Sequence, residues 1–129
     1  MRPIDQYRSN RVDSASKSQI VTMLFQEIGR RLEMALDAND RGSHEWRGHL
    51  HHVREILIEL RMALDFEAAP ELCKTLASLY DWESDELISA GRDQAARRIR
   101  GVIRVNEQLL EGWIGALERV ASQEASATP

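Results

Sequence analysis

Apolar residues recur along most of this chain at steps of three and four, the period of a helix with one buried face. In the first periodic segment Ile20, Leu24, Ile28, Leu32 and Ala35 form the stripe, flanked by Met23 and Phe25. Ser16 followed three residues later by Gln19 makes a capping box that would open this helix. Asn39-Asp40-Arg41-Gly42 would close it, with glycine in the left-handed position. The second segment has Ser43 as cap and Trp46, Leu50, Val53, Leu57, Leu60 and Leu64 as its stripe. The third starts at Pro70, whose missing N–H suits a first helical position. It runs to about Ala90, with Leu72, Leu76, Leu79 and Tyr80 restarting the period. Gly91 can end it and Asp93 can cap the next. The fourth runs from about Gln94 to Ala121. Its apolar face is the widest: Ile99, Val102, Ile103, Leu109, Leu110, Trp113, Ile114, Leu117 and Val120 cover roughly half its circumference.

Short connections between such segments place neighbours antiparallel. The pattern therefore predicts an all-α fold, an antiparallel up-and-down four-helix bundle, as a single domain over residues 1–129. Residues 1–15 form a short polar N-terminal arm with two isolated apolar anchors, Ile4 and Tyr7, and residues 122–129 a flexible tail. Several residues fall outside the inward stripes. Ile58 and Met62 lie on the far side of the second helix at about 100° per residue, and Phe66 continues their row. They are either ordinary exposed apolar residues or a second stripe awaiting a partner helix. Trp82 sits off the stripe of the third helix, on the flank nearer Leu79. Asn106 falls in the middle of the fourth helix's apolar face. It either fixes packing register through a local hydrogen bond or bonds the backbone of a bound segment.

Composition narrows the classes. A chain of 129 residues with 43% hydrophobic and 29% charged residues suits one globular core. A formal charge of −4 argues against general phosphate-backbone binding. The N-terminus MRPIDQYRSN lacks the apolar block of a secretory signal. No stretch approaches the roughly 20 apolar residues of a membrane helix, so no membrane insertion is expected. The single cysteine, Cys73, can form no internal disulfide, which fits a reducing cytoplasm. Near the core stripe it reads as a small buried hydrophobe rather than a nucleophile.

Catalytic and metal motifs are missing. His44, His49, His51 and His52 cluster, but in HEWRGH a glycine, Gly48, stands where a zinc motif needs its second histidine. His51 and Glu55 have a facing spacing, whereas His44 and His49 turn away from each other, so a solvated face is expected and no metal. Neither a P-loop nor a nucleophile elbow occurs. Arg97, Arg98, Arg100 and Arg104 form the one basic cluster. It reads as a polar outer face, and no aromatic row accompanies it as single-stranded nucleic acid would require. The pattern alone supports an interaction protein, either a binding chaperone or a structural, self-associating bundle, monomeric or weakly dimeric. It gives no reason to expect an enzyme or a cofactor.

The run Leu60-Arg61-Met62-Ala63-Leu64-Asp65, then Leu76-Ala77-Ser78-Leu79-Tyr80-Asp81-Trp82, resembles the hairpin of the flagellar secretion chaperone family. That hairpin reads roughly L-x-x-S-L-D, then N-L-x-x-L-Y-D-aromatic. Met23-Leu24-Phe25 and Leu109-Leu110-Glu111-Gly112-Trp113 are similar to the family's first and last helices, with Lys17, Phe25 and Thr75 replacing its proline, tyrosine and asparagine. The resemblance implies a cytoplasmic, ATP-independent chaperone that binds the disordered C-terminal segment of flagellin. It also implies delivery of that cargo to the flagellar export gate, with Ile4 and Tyr7 as the matching N-terminal positions. Ile58, Met62 and Trp82, with Leu79, Tyr80, Asn106 and Trp113, are the residues expected to meet the cargo.

Overall fold

Four α-helices account for the periodic segments, as seen in a computed structural model that describes residues 14–127. They are α1 (Ser14–Asp40), α2 (Trp46–Met62), α3 (Pro70–Ala90) and α4 (Ala95–Ala127), and the described residues include no strand. α1 packs against α2 and α4, and α3 closes the ring against α4 and α2. The predicted all-α up-and-down bundle is therefore the observed one.

The turns show why the helices stop where they do. Gly42, at φ +75°, takes the left-handed conformation after α1. Ser43 acts one turn before α2, its Oγ accepting from the Glu45 N–H at 3.2 Å, and the helix begins at Trp46. Pro70 opens α3 as its first residue. Just before it, the Asp65 carboxylate accepts from the backbone N–H groups of Glu67 and Ala68 at 3.1 and 3.2 Å. That Asx turn satisfies donors that the broken helix would leave unpaired. Cys73 is buried and its Sγ donates to the Asp65 carbonyl at 3.3 Å.

Some expected boundaries move. α1 already includes Ser14, so Ser16 lies inside the helix and cannot be its cap. Asp93 does not cap α4; it holds the Arg98 guanidinium at 3.1 Å, and Gln94, at φ +51°, makes the turn. α4 continues through Ala127, past the expected end at Ala121, with residues 122–126 exposed along it. Nothing in that stretch breaks a helix: there is neither glycine nor proline before Pro129.

Ile28, Leu32, Val53, Leu57, Ile99 and Val102 form the fully buried centre. Phe25 joins the core rather than flanking it. The inward stripe of α3 is rotated from the expected one. Cys73, Ala77, Tyr80, Leu87 and Ala90 are buried, whereas Leu72 is 59% exposed. α3 also buries a carboxyl, Glu83, which is 0% exposed and whose two oxygens have no hydrogen-bond partner among the described residues. Desolvation raises its pKa to about 8. The wide apolar face of α4 is only half used. Ile99 and Val102 are buried, but Ile114 and Val120 are exposed.

Candidate functional site

The unequal helix lengths set up the site. At one end of the bundle the N-terminal half of α1 meets the α2–α3 turn and the C-terminal half of α4. A helix rises about 1.5 Å per residue, so α4, with 33 residues, spans about 50 Å while α2, with 17, spans about 25 Å. Where the shorter helices stop, the apolar side of α4 is left without a full set of neighbours. The result is a groove of about 550 Å³.

All four helices line it. α1 gives Val21 and Phe25; α2 gives Leu60, and the α2–α3 turn gives Ala63 and Leu64; α3 gives Leu72, Leu76 and Tyr80. α4 gives Leu109, Gly112, Trp113 and Ala116, with Gln108 and Arg119 as the polar members. Trp113 is held in place by its indole N–H, which donates to Thr22 Oγ1 at 2.8 Å. Thr22 in turn donates to the Ser18 carbonyl at 3.0 Å, so the hydroxyl that fixes the indole is itself fixed. Burial and the nearby Glu83 push the Tyr80 phenol up to about 12, so it stays neutral. A Cβ at Gly112 would meet nothing within 4 Å, and this missing side chain keeps the α4 wall low. Apolar walls with a few polar groups are the usual form of a site that takes an apolar ligand.

The structure divides the residues expected to meet cargo. Tyr80 and Trp113 line the groove. Leu79 is half-buried beside it on α3 and does not line it. Asn106 lies beneath, buried, and its Nδ2 donates to the Phe25 carbonyl at 3.2 Å across the α1–α4 interface. This is a tertiary bond that fixes register, the first of its two readings, and it leaves the amide inaccessible to a bound backbone. Its Oδ1 is buried without a partner among the described residues. Gly29 faces the amide, and a Cβ there would stand 3.4 Å from Asn106 Nδ2, an ordinary contact.

Ile58 and Met62 are exposed at 55% and 59% on the outer side of α2, and Phe66, expected to continue their row, is exposed in the turn beyond the helix end. Trp82 does not join them. Asp81 reaches across to Arg61 of α2, with Oδ1 2.9 Å from Nε and Oδ2 3.1 Å from Nη2. That hydrogen bond holds the Asp81 carboxyl below the usual carboxylate range. Trp82, about 100° further round α3, lies instead over Gly101 of α4. A single strip combining Ile58, Met62 and Trp82 is therefore not formed. Ile4 and Tyr7 lie outside the described residues.

Leu72, Leu76 and Leu109, read in the sequence as inward stripe, line the groove together with Val21 and Gly112, and none of the five was among the residues expected to meet cargo. One signal was present: Gly112, Gly115 and Ala116 place small residues on one side of α4, where a helix wall is lowest. His51 pairs with Glu55 at 2.8 Å and His49 Nδ1 lies 3.2 Å from Arg31 Nη1. Among the described residues, no group of three His, Cys, Asp or Glu side chains could hold an ion. Nor is any described helix long and apolar enough to cross a membrane.

The fold and groove define a class: a small helical bundle with an apolar groove at one end. The comparisons agree and are more specific. The family profile described as "Flagellar protein FliS" matches residues 1–120. The flagellar secretion chaperone FliS of Campylobacter jejuni subsp. jejuni serotype O:6 is 32% identical over 108 residues, covering 83% of this chain and 84% of that protein. The flagellar secretion chaperone FliS of Vibrio cholerae serotype O1 is 28% identical over 112 residues, covering 83% and 82%. A solved bacterial flagellar chaperone has the same fold. Its TM-score is 0.67 at 21% identity, and the match covers 91% of this chain and 99% of that one. The chain belongs to the FliS family of flagellar secretion chaperones.

Proposed function

We propose that this protein is an ATP-independent cytoplasmic chaperone that binds the disordered C-terminal segment of flagellin in the end groove. It thereby prevents premature polymerisation and delivers flagellin to the flagellar type III export apparatus. The observation that carries this reading is the apolar groove of about 550 Å³ lined by all four helices. An amphipathic segment that folds there buries its anchors against Leu72, Leu76, Leu109 and Trp113, and loses chain entropy as it does so. No covalent step is required, because occupying the segment removes it from self-association. Beyond the groove rim at Ala63 and Leu64, the row Phe66, Met62 and Ile58 extends the apolar track along α2. Ile4 and Tyr7 of the N-terminal arm then serve contact with the export gate.

Leu72 gives the sharpest test, because it lines the groove and is exposed, so changing it should not disturb the core. Leu72→Glu is expected to leave the melting temperature unchanged. Calorimetry with a flagellin C-terminal segment should show affinity lower by about tenfold or more. Full affinity retained by Leu72→Glu would place the client elsewhere, and no binding by the unaltered protein would reject flagellin as client.

A further inference from the structure

The outer edge of the α3–α4 seam carries charges that the bundle's own packing leaves uncompensated. Arg97, Arg100 and Arg104 are exposed on α4. Their steps of three and four put them on one face over roughly 10 Å. Arg98, nearer the core, is paired with Glu86 and Asp93. The other three have no carboxylate partner among the described residues, and Arg97 donates only to the amide oxygen of Gln94. Like charges at these spacings repel one another.

Trp82 comes to the same place from α3. A Cβ at Gly101 would stand 3.9 Å from the indole Cη2 and 3.8 Å from Arg104 Nη2. Ring edge and guanidinium thus both flank one backbone position, and Trp82 remains 40% exposed. The sequence shows an arginine cluster without an aromatic; the tertiary fold supplies one from another helix.

We propose that this seam is a docking surface for an acidic segment of a partner protein. The segment is a short amphipathic helix whose carboxylates, at steps of three and four, face Arg97, Arg100 and Arg104, and whose apolar residue packs on Trp82. Charge complementarity argues for this occupant. Guanidinium groups hold carboxylates in paired hydrogen bonds, and a tryptophan at the centre of a contact often dominates its energy. The whole chain carries −4, so the patch is a cationic island on an acidic molecule. Its length also matters. Glu107 and Glu111, both exposed, follow Arg104 along α4, and Asp93 precedes the cluster. A two-turn acidic helix fits between these limits, whereas a phosphate backbone would run onto carboxylates. The surface is separate from the end groove, so it does not depend on the flagellin reading.

Fluorescence anisotropy with labelled probes tests it. One probe is a helical peptide of about four turns with glutamates at i, i+3 and i+7 and a leucine beside them. A second has glutamines in their place, and a third is a single-stranded uridine oligonucleotide. The glutamate peptide should bind the full-length protein and the glutamine peptide should not. Its affinity should fall by about tenfold or more in R97E/R100E/R104E and when salt is raised to about 0.5 M. Trp82→Ala should weaken it too, and the flagellin segment should bind all variants alike. If charge reversal lowers the melting temperature, the glutamine variant R97Q/R100Q/R104Q is read in its place. Binding indifferent to the arginines, or to the peptide's charge, overturns the proposal. An arginine-dependent oligonucleotide affinity above that of the glutamate peptide also overturns it, in favour of a nucleic-acid surface.

Discussion

A carboxyl at the centre of an apolar bundle costs free energy unless it keeps its proton. Glu83 is in that position, fully buried, with both oxygens unpaired among the described residues. Its pKa rises from 4.5 to about 8 through desolvation. Below pH 4.5 the folded and unfolded chains both hold the proton, so the site costs nothing extra through ionisation. As pH rises from there, the unfolded chain releases its proton and the folded chain does not, so stability falls. The slope approaches about 1.4 kcal/mol per pH unit. Above about 8 both forms have released it and the loss is complete. Urea unfolding of the parent protein should therefore show stability declining between about pH 5 and about pH 8. In Glu83→Gln that contribution should vanish, and an unchanged slope would place the titration elsewhere. Glu83 was hidden in the sequence because it sits in the polar run Asp81-Trp82-Glu83-Ser84-Asp85-Glu86, where charge pattern suggests solvent.

At the level of elements, the groove is a consequence of mismatched lengths rather than of a special motif. α4 outlasts α2 and α3, and its half-covered apolar side becomes a wall. Gly112 is the lowest point of that wall, in open space. Glycine within a helix costs about 1 kcal/mol relative to alanine. Gly112→Leu should accordingly raise the melting temperature while its side chain fills the groove and lowers affinity for a flagellin segment. Stability and binding moving in opposite directions is the signature expected of a site kept open. Higher stability with full affinity would mean that the groove is not the client site. The same element logic explains Leu72. The stripe of α3 turns so that Cys73 and Ala77 face inward, which places Leu72 at the groove's edge.

For the whole molecule, a prominent surface feature is the exposed pair Ile58 and Met62 on the outside of α2, followed by Phe66 in the α2–α3 turn. Exposed apolar rows of this kind serve clients or copies of the same chain. A double change Ile58→Ser, Met62→Ser separates the two. Light scattering reports mass and calorimetry reports binding of the flagellin segment. If the segment's path continues beyond the groove, affinity should fall by several-fold with mass and melting unchanged. A dimer dissociating to monomer with cargo affinity intact would make the row a self-association surface. Trp82 should be silent in this experiment, because it covers the α3–α4 seam and not this row.

Helical period, turn residues and chain length together determined the four helices, their order and the antiparallel bundle, because burying a one-faced stripe leaves few arrangements once connections are short. The hairpin and its neighbours also carried the family, through local strings such as Leu76-Ala77-Ser78-Leu79-Tyr80-Asp81-Trp82. The site was legible only in part. Tyr80 and Trp113 could be named, since both stand in the strings that resemble the family. Leu72 and Gly112 could not, because exposure depends on where neighbouring helices stop. Asn106 had two readings until the Phe25 carbonyl was found 3.2 Å from its Nδ2. Periodicity says which residues leave the core stripe but not which helix they then meet. Trp82 thus joined α4 and its arginines rather than Ile58 and Met62, a choice made by the azimuth of one helix against the next, which only tertiary packing fixes.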